Sequence, residues 1–195
     1  MKTAIIDYNA GNIQSVIFAM KRLNADFVLT NNIEEIIAAD KVIFPGVGEA
    51  STTMKFLNKN GLSDCIKNLK QPILGICLGL QLMCNHSEEN DTECLGIFSA
   101  NVKQFIPNSQ EKVPHIGWNK LNQCTGDVVN QDLNGKYCYF VHSFYAELCE
   151  YTVSTTFHTI DFTSALQKDN FFATQFHPEK SGSPGELILN NFLKL

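Results

Sequence analysis

The chain has no surplus of positive charge: fifteen Lys and Arg stand against twenty Asp and Glu, a net charge of -5 with His neutral. Phosphate backbones and anionic lipid surfaces are held by clustered cations, so nucleic-acid and membrane-surface binding are not expected. It also lacks any apolar run approaching the ~18 residues of a membrane span. The apolar part of Met1 to Ile6 is too short for a secretory signal, and Asp7 interrupts it. Seven cysteines is an odd number, and no two are spaced C-x-x-C. That argues against a complete disulfide framework and the common zinc spacings, so a reducing cytoplasm is the expected setting and no metal site is anticipated. Internal repeats, low-complexity tracts and linkers are absent too.

What is present is core material. Hydrophobic residues make up 44% and charged residues 18% of 195 positions, a globular composition at the size of one domain, read as residues 1–195. Thr3 to Ile6 reads as a strand, and Asn12 to Asn24 as a helix with Ile13, Val16, Ile17, Met20 and Leu23 on one face. Phe27 to Leu29 follows as a strand, Asn32 as the cap of a helix over Ile33 to Ala39, and Lys41 to Phe44 and Pro72 to Ile76 as strands with two helical segments between them. Alternating strands and helices imply a mostly parallel sheet with helices on both faces. The second half changes: Tyr137 to His142, Tyr151 to Phe157 and Phe171 to His177 are strand-like, with connections too short for helices. An antiparallel, meander-like extension of the sheet is expected there. Ser183-Pro184-Gly185-Glu186 has the pattern of a capping box before a final helix over Leu187 to Leu195, with Ile188, Phe192 and Leu195 facing inward.

The strongest chemical signal is Gly75-Ile76-Cys77-Leu78-Gly79, an apolar strand turning directly into a helical pattern. A sharp strand-to-helix turn forces its central residue into strained backbone, and the flanking glycines answer a backbone approach too close for a Cβ. Cys77 is then a nucleophile at a helix N-terminus, where unpaired N–H groups favour the thiolate. A thiol nucleophile needs a base and a group to orient it. His177-Pro178-Glu179, at the end of a strand, supplies both. Pro45-Gly46-Val47-Gly48 follows the strand Lys41 to Phe44 at the same edge of the sheet. Backbone N–H groups of Gly46, Val47 and Gly48, with that of Leu78, are candidate oxyanion donors. The remaining cysteines, Cys65, Cys84, Cys94, Cys124, Cys138 and Cys149, read as buried or incidental thiols. His115 and His142 read as hydrogen-bonded core residues, and His86 and His158 have no chemical company in the sequence.

With Cys77, His177 and Glu179 in that order, the chain resembles the class I, triad-type glutamine amidotransferases. Ile6 to Asn12, Phe44 to Gly48, Pro114-His115-Ile116-Gly117-Trp118-Asn119, Tyr139 to Ser143 and His177 to Ser181 extend the likeness over nearly the whole chain. These blocks look like the branch whose ammonia passes through a channel to a separate (β/α)-barrel cyclase in histidine biosynthesis. There it yields imidazole glycerol phosphate and an aminoimidazole carboxamide ribotide. Two departures are mild: Leu80 stands where Met is common, and Phe144 where Tyr is common. The resemblance implies a flavodoxin-like three-layer fold, glutamine hydrolysis through a thioester on Cys77, and no cofactor. It implies that Gln81 and the segment at Ser143 and Phe144 hold the amino-acid end of the substrate. It also implies a heterodimer whose interface takes in Asn12, Trp118 and Lys180. The glycine-rich segment after Phe44 offers a place where partner docking could turn an N–H toward the oxyanion. A stand-alone γ-glutamyl hydrolase, or a glutaminase feeding a different synthase, shares the same elbow and remains open on the sequence alone.

Overall fold

A computed structural model describes residues 1–8, 13–46 and 48–195. Its centre is five parallel strands, β1 (Lys2–Ile6), β2 (Asp26–Thr30), β3 (Lys41–Phe44), β4 (Ile73–Ile76) and β13 (Phe171–Thr174), in spatial order β2-β1-β3-β4-β13. The side-chain period of two sends alternate residues to opposite faces. Ala4, Ile6, Val42 and Phe44 join one core with helices α2 (Ile33–Ala38), α3 (Ala50–Lys59), α4 (Leu62–Asn68) and α5 (Leu78–Met83). Ile5, Ile43, Leu74 and Ile76 join the other, with α1 (Gln14–Arg22) and α6 (Gly182–Lys194). Both faces are therefore apolar and covered, which is the condition for a parallel sheet to persist in water. The arrangement is the flavodoxin-like three-layer order expected from the sequence.

Local signals explain where several elements start and stop. Asn32 caps α2, its Oδ1 accepting from the N–H groups of Glu34 at 2.8 Å and Glu35 at 3.2 Å. Asn24, at φ 50°, turns the chain out of α1 and into β2. Asn12, expected to open α1, lies outside the described residues.

Beyond β13 the sheet continues through β12 (Ile160–Lys168), β10 (Phe144–Ala146), β7 (Asn101–Gln104), β5 (His86–Ser87) and β6 (Thr92–Glu93), with β11 (Thr152–His158) also paired to β12. These pairings are antiparallel except β5 with β7. Four expectations need correction. Tyr137 to His142 forms β9, but it leaves the main sheet and pairs only with β8 (His115–Lys120) in a separate hairpin-like ribbon. The strand predicted over Phe171 to His177, expected in the antiparallel extension, ends at Thr174 and pairs parallel with β4 as the fifth strand of the parallel set, turning antiparallel only toward β12. The Ser183 capping box does not form: α6 begins at Gly182, so Ser183 to Glu186 already lie within it. The residue that precedes the helix, Ser181, spends its hydroxyl elsewhere, accepting from Tyr139 N–H at 2.9 Å and donating to His177 O at 2.6 Å. Leu195, expected to face inward, is exposed. Among the described residues no helix is long and apolar enough to cross a membrane.

Candidate active site

The carboxyl ends of β3, β4 and β13 lie side by side, which is where an open α/β sheet collects its functional groups. Register does the positioning: Phe44 pairs with Gly75, and Thr174 with Ile76. Residues about one hundred positions apart in sequence are thus one strand apart in space, and the Cys77 N–H donates to Thr174 O at 2.7 Å.

Cys77 stands between β4 and α5 with φ 52° and ψ −103°, a conformation an L residue enters only under constraint. The constraint comes from close packing of backbone on backbone. A Cβ on Gly79 would collide with the carbonyl of Phe44, and one on Gly46 would collide with the N–H of Gly79 and with Leu78. The loop after β3 therefore presses against the first turn of α5, whose N–H groups have no intrahelical acceptors. Tyr8 fixes the loop from the other side, its buried hydroxyl donating to Pro45 O. Gly46, Gly48 and Leu78 line the same cavity as Cys77. Val47 lies outside the described residues.

That cavity, of about 320 Å³, also has Gln81, Glu89, Val141, His142, Ser143, Phe144 and His177 in its wall. His177 follows β13 and enters a turn of 3-10 helix over Pro178–Lys180. The turn returns Glu179 to the imidazole, with Nδ1 to Oε1 at 2.7 Å and both side chains nearly inaccessible. Burial by itself lowers the basicity of this ring. The nearby Cys77 sulfur, when charged, and the Glu179 carboxylate bonded at Nδ1 outweigh that, so His177 is held above the usual histidine range, while its Nε2 is buried without a hydrogen-bond partner among the described residues. Cys77, His177 and Glu179, expected from separate motifs as nucleophile, base and orienting acid, thus sit in one buried array.

A polar network fixes the wall opposite. The Phe144 carbonyl can only accept, and it takes N–H groups from Gln81 Nε2 at 2.9 Å and His142 Nδ1 at 2.7 Å. His142 Nε2 is then an acceptor, filled by His115 Nδ1–H at 2.9 Å, and His115 Nε2 accepts from Asn119 Nδ2 at 3.1 Å. Asn119 is itself oriented by donating to Phe157 O at 2.8 Å. Carbonyls at both ends settle every tautomer and amide orientation along this chain. His158, without company in the sequence, stacks on His115 with ring centroids 4.1 Å apart and bonds Lys112 O at 2.9 Å. His86 likewise gains a partner, Asp91, at 2.8 Å.

Sequence reasoning missed two groups at this site. Glu89 is the only carboxylate in the described cavity wall. It accepts from Ala50 N–H at 2.7 Å, and burial, offset in part by that bond and reinforced by Glu49, raises its pKa. It sits in the polar segment between β5 and β6, where nothing in the spacing separates it from a solvated loop acid. The second is Gln175, completely buried one residue beyond β13. Its Oε1 accepts from Gln81 Nε2 at 3.1 Å and its Nε2 lies 3.6 Å from Cys77 Sγ.

The two described residues expected at an interface share one patch. Trp118, 55% exposed, lies across β8–β9 from Tyr139 with its ring 6.1 Å away, and Lys180 Nζ stands 6.0 Å over the Tyr139 ring. The same Tyr139 accepts the His177 N–H at its carbonyl, at 2.9 Å.

Comparison with known proteins agrees with this geometry. A family model described as glutamine amidotransferase class-I matches residues 4–195. The chain is 54% identical, over the full length of both, to a Bacteroides thetaiotaomicron protein named imidazole glycerol phosphate synthase subunit HisH. It is 44% identical to the Idiomarina loihiensis protein of the same name, over 100% of this chain and 98% of that one. Among solved structures, a glutamine amidotransferase superposes with TM-score 0.75 at 18% identity, covering 98% of this chain and 97% of that one. Another, from Thermotoga maritima, gives 0.65 at 16%, covering 100% and 83%.

Proposed function

Since the chain belongs to the class-I glutamine amidotransferase family, we propose that it is the glutaminase subunit of an imidazole glycerol phosphate synthase, with Cys77, His177 and Glu179 as its catalytic residues. The observation that carries this reading is the strained Cys77 sharing one cavity with a buried imidazole that Glu179 holds at 2.7 Å. The Cys77 thiolate attacks the glutamine carboxamide carbon, and the oxyanion takes backbone N–H groups from Leu78 and the Gly46-Val47-Gly48 segment. His177 gives its proton to the departing ammonia. It then accepts one from the water that cleaves the γ-glutamyl thioester, releasing glutamate and regenerating the thiolate. Glu179 holds Nδ1 so that Nε2 faces the reacting atoms.

In the same cavity wall, Glu89 suits the substrate α-ammonium, while Gln81 and the Ser143–Phe144 backbone hold the rest of the amino-acid end. A carboxylate in the wall favours a free amino acid over an amide lacking that cation, which supports glutamine as the substrate. The partner is a (β/α)-barrel cyclase that docks on the face carrying Trp118 and Lys180, with Asn12 the third contact expected from the sequence. Ammonia released into bulk water would mostly be protonated and lost as a nucleophile, so the docked partner covers the mouth of the site. Seven free thiols support a cytoplasmic setting.

The test is Cys77→Ala in the complex with the cyclase. Glutamine-dependent synthesis is expected to fall to background while synthesis from added ammonium salt persists, because the variant loses only ammonia production. Retained glutamine-dependent synthesis would remove Cys77 as the nucleophile. Loss of both reactions in a folded complex would show that the residue serves more than the glutaminase step.

A further inference from the structure

The Gln175 side chain is fully buried, and both ends of its amide are turned toward the cavity residues Gln81 and Cys77. Its orientation follows from its neighbours. Phe144 O compels Gln81 to present its NH2 group. Gln81 therefore offers a second N–H to Gln175, which must answer with Oε1, at 3.1 Å. Only the Gln175 NH2 remains, and it is aimed at Cys77 Sγ, 3.6 Å away, an ordinary length for an N–H donated to sulfur. The backbone is pinned as well, Gln175 N–H donating to Ser164 O at 2.9 Å. A buried donor whose acceptor is the reacting sulfur, held by a network with a carbonyl at its far end, is arranged for charge on that sulfur.

We propose that Gln175 is a further catalytic residue, whose side-chain N–H donates to the Cys77 sulfur and stabilises it whenever it carries negative charge. The proposal rests on Cys77 being the nucleophile. Before attack the donor favours thiolate over thiol. Later, the incoming water oxygen bonds to the acyl carbon and passes its proton to His177. The C–S bond then breaks with its electron pair going to sulfur, where the Gln175 N–H meets the returning charge. His177 is a proton carrier and is neutral during part of the cycle, whereas an amide N–H is a donor throughout. The sulfur is charged while His177 carries its proton, so Gln175 acts beside the imidazolium as a second donor whose proton is never transferred.

The test uses the full chain and two variants, Gln175→Met, which keeps bulk and removes the donor, and Gln175→Glu, which keeps an acceptor for Gln81. Alkylation of Cys77 by iodoacetamide is followed against pH through the mass of the Cys77 peptide, so the other six cysteines do not interfere. Kinetics of glutamine hydrolysis are measured in the cyclase complex. Loss of a hydrogen bond to a charged group should move the alkylation midpoint up by about one pH unit or more, lowering kcat about tenfold. KM should stay within a factor of about three. A wild-type midpoint in a folded variant overturns the proposal. So does a rise in KM with kcat and midpoint unchanged, because Gln175 would then serve only as a prop for Gln81. If neither variant folds, the wild-type chain decides: the Gln175 side-chain amide signal in NMR must titrate with the Cys77 alkylation midpoint, and a flat signal refutes the contact. Failure of the underlying reading looks different, as glutamine turnover that survives Cys77→Ala.

Discussion

Acidification should weaken this protein through His142 before its carboxylates titrate, and the size of the effect follows from the buried network. Burial pulls the His142 pKa down to about 3, against the opposing hydrogen bond to Phe144 O and with help from the nearby His115, His158 and His177. In the unfolded chain the ring titrates near 6.5. Between those values the unfolded state binds a proton that the native state refuses, so stability falls as pH drops, by about 1.4 kcal/mol per pH unit for one such histidine. From pH 8 to pH 5 the loss is about 2 kcal/mol, a substantial part of the 5–15 kcal/mol available to a typical domain. His115, also lowered to about 3 by burial and by His158, acts in the same direction. The geometric reason is plain: a proton on His142 Nε2 would set it N–H to N–H against His115 Nδ1. His177 opposes this slope above about pH 6.5: its pKa is raised, so the native state holds a proton that the unfolded chain lacks, and stability rises as pH falls toward 6.5, below which His177 adds no slope and the histidines with lowered pKa decide it. Urea unfolding at pH 8, 7, 6 and 5 measures the slope. His142→Gln, which cannot titrate, should flatten it by about one proton's worth. A stability that is level from pH 7 to 5, or a slope untouched by His142→Gln, would refute this account.

Two further outcomes are expected. Glu179→Gln should leave the fold intact and lower glutamine turnover about 10²-fold or more, as loss of the orienting acid does in other triads, and steady-state kinetics near wild type would reduce Glu179 to a turn former. Gly79→Ala places a methyl against the Phe44 carbonyl, a contact of backbone with backbone that no rotamer relieves. It should cost about 3 kcal/mol, the upper end for overpacking, and displace Cys77 from His177. An unchanged urea midpoint would show that the elbow tolerates more than its packing suggests.

The sequence by itself determined the first four parallel strands and pointed to Cys77, His177 and Glu179, because both are written in short-range patterns, whereas the parallel pairing of β13 with β4 came only with the tertiary structure. Apolar runs of four or five residues alternating with a helical period define β1 through α5. The glycines at 75 and 79 declare a turn in which backbone approaches backbone. What only the tertiary structure decided depends on pairings between distant strands. Whether Tyr137 to His142 extends the sheet or leaves it is settled by its partner, His115 to Lys120, and alternation along one strand cannot name its neighbour. The start of α6 is set by Ser181 being drawn to Tyr139 and His177, which overrides a good local capping pattern at Ser183. His115, His142 and His158 are scattered in sequence and become one cluster, His158 stacked on His115 and His142 edge-on to it, only when β8, β9 and β11 converge. Glu89 and Gln175 carry no motif, and they matter because the cavity closes over one and strand register brings the other to a sulfur 98 residues away. Local periodicity fixes which element a residue occupies, but the company a side chain keeps is a property of register and burial.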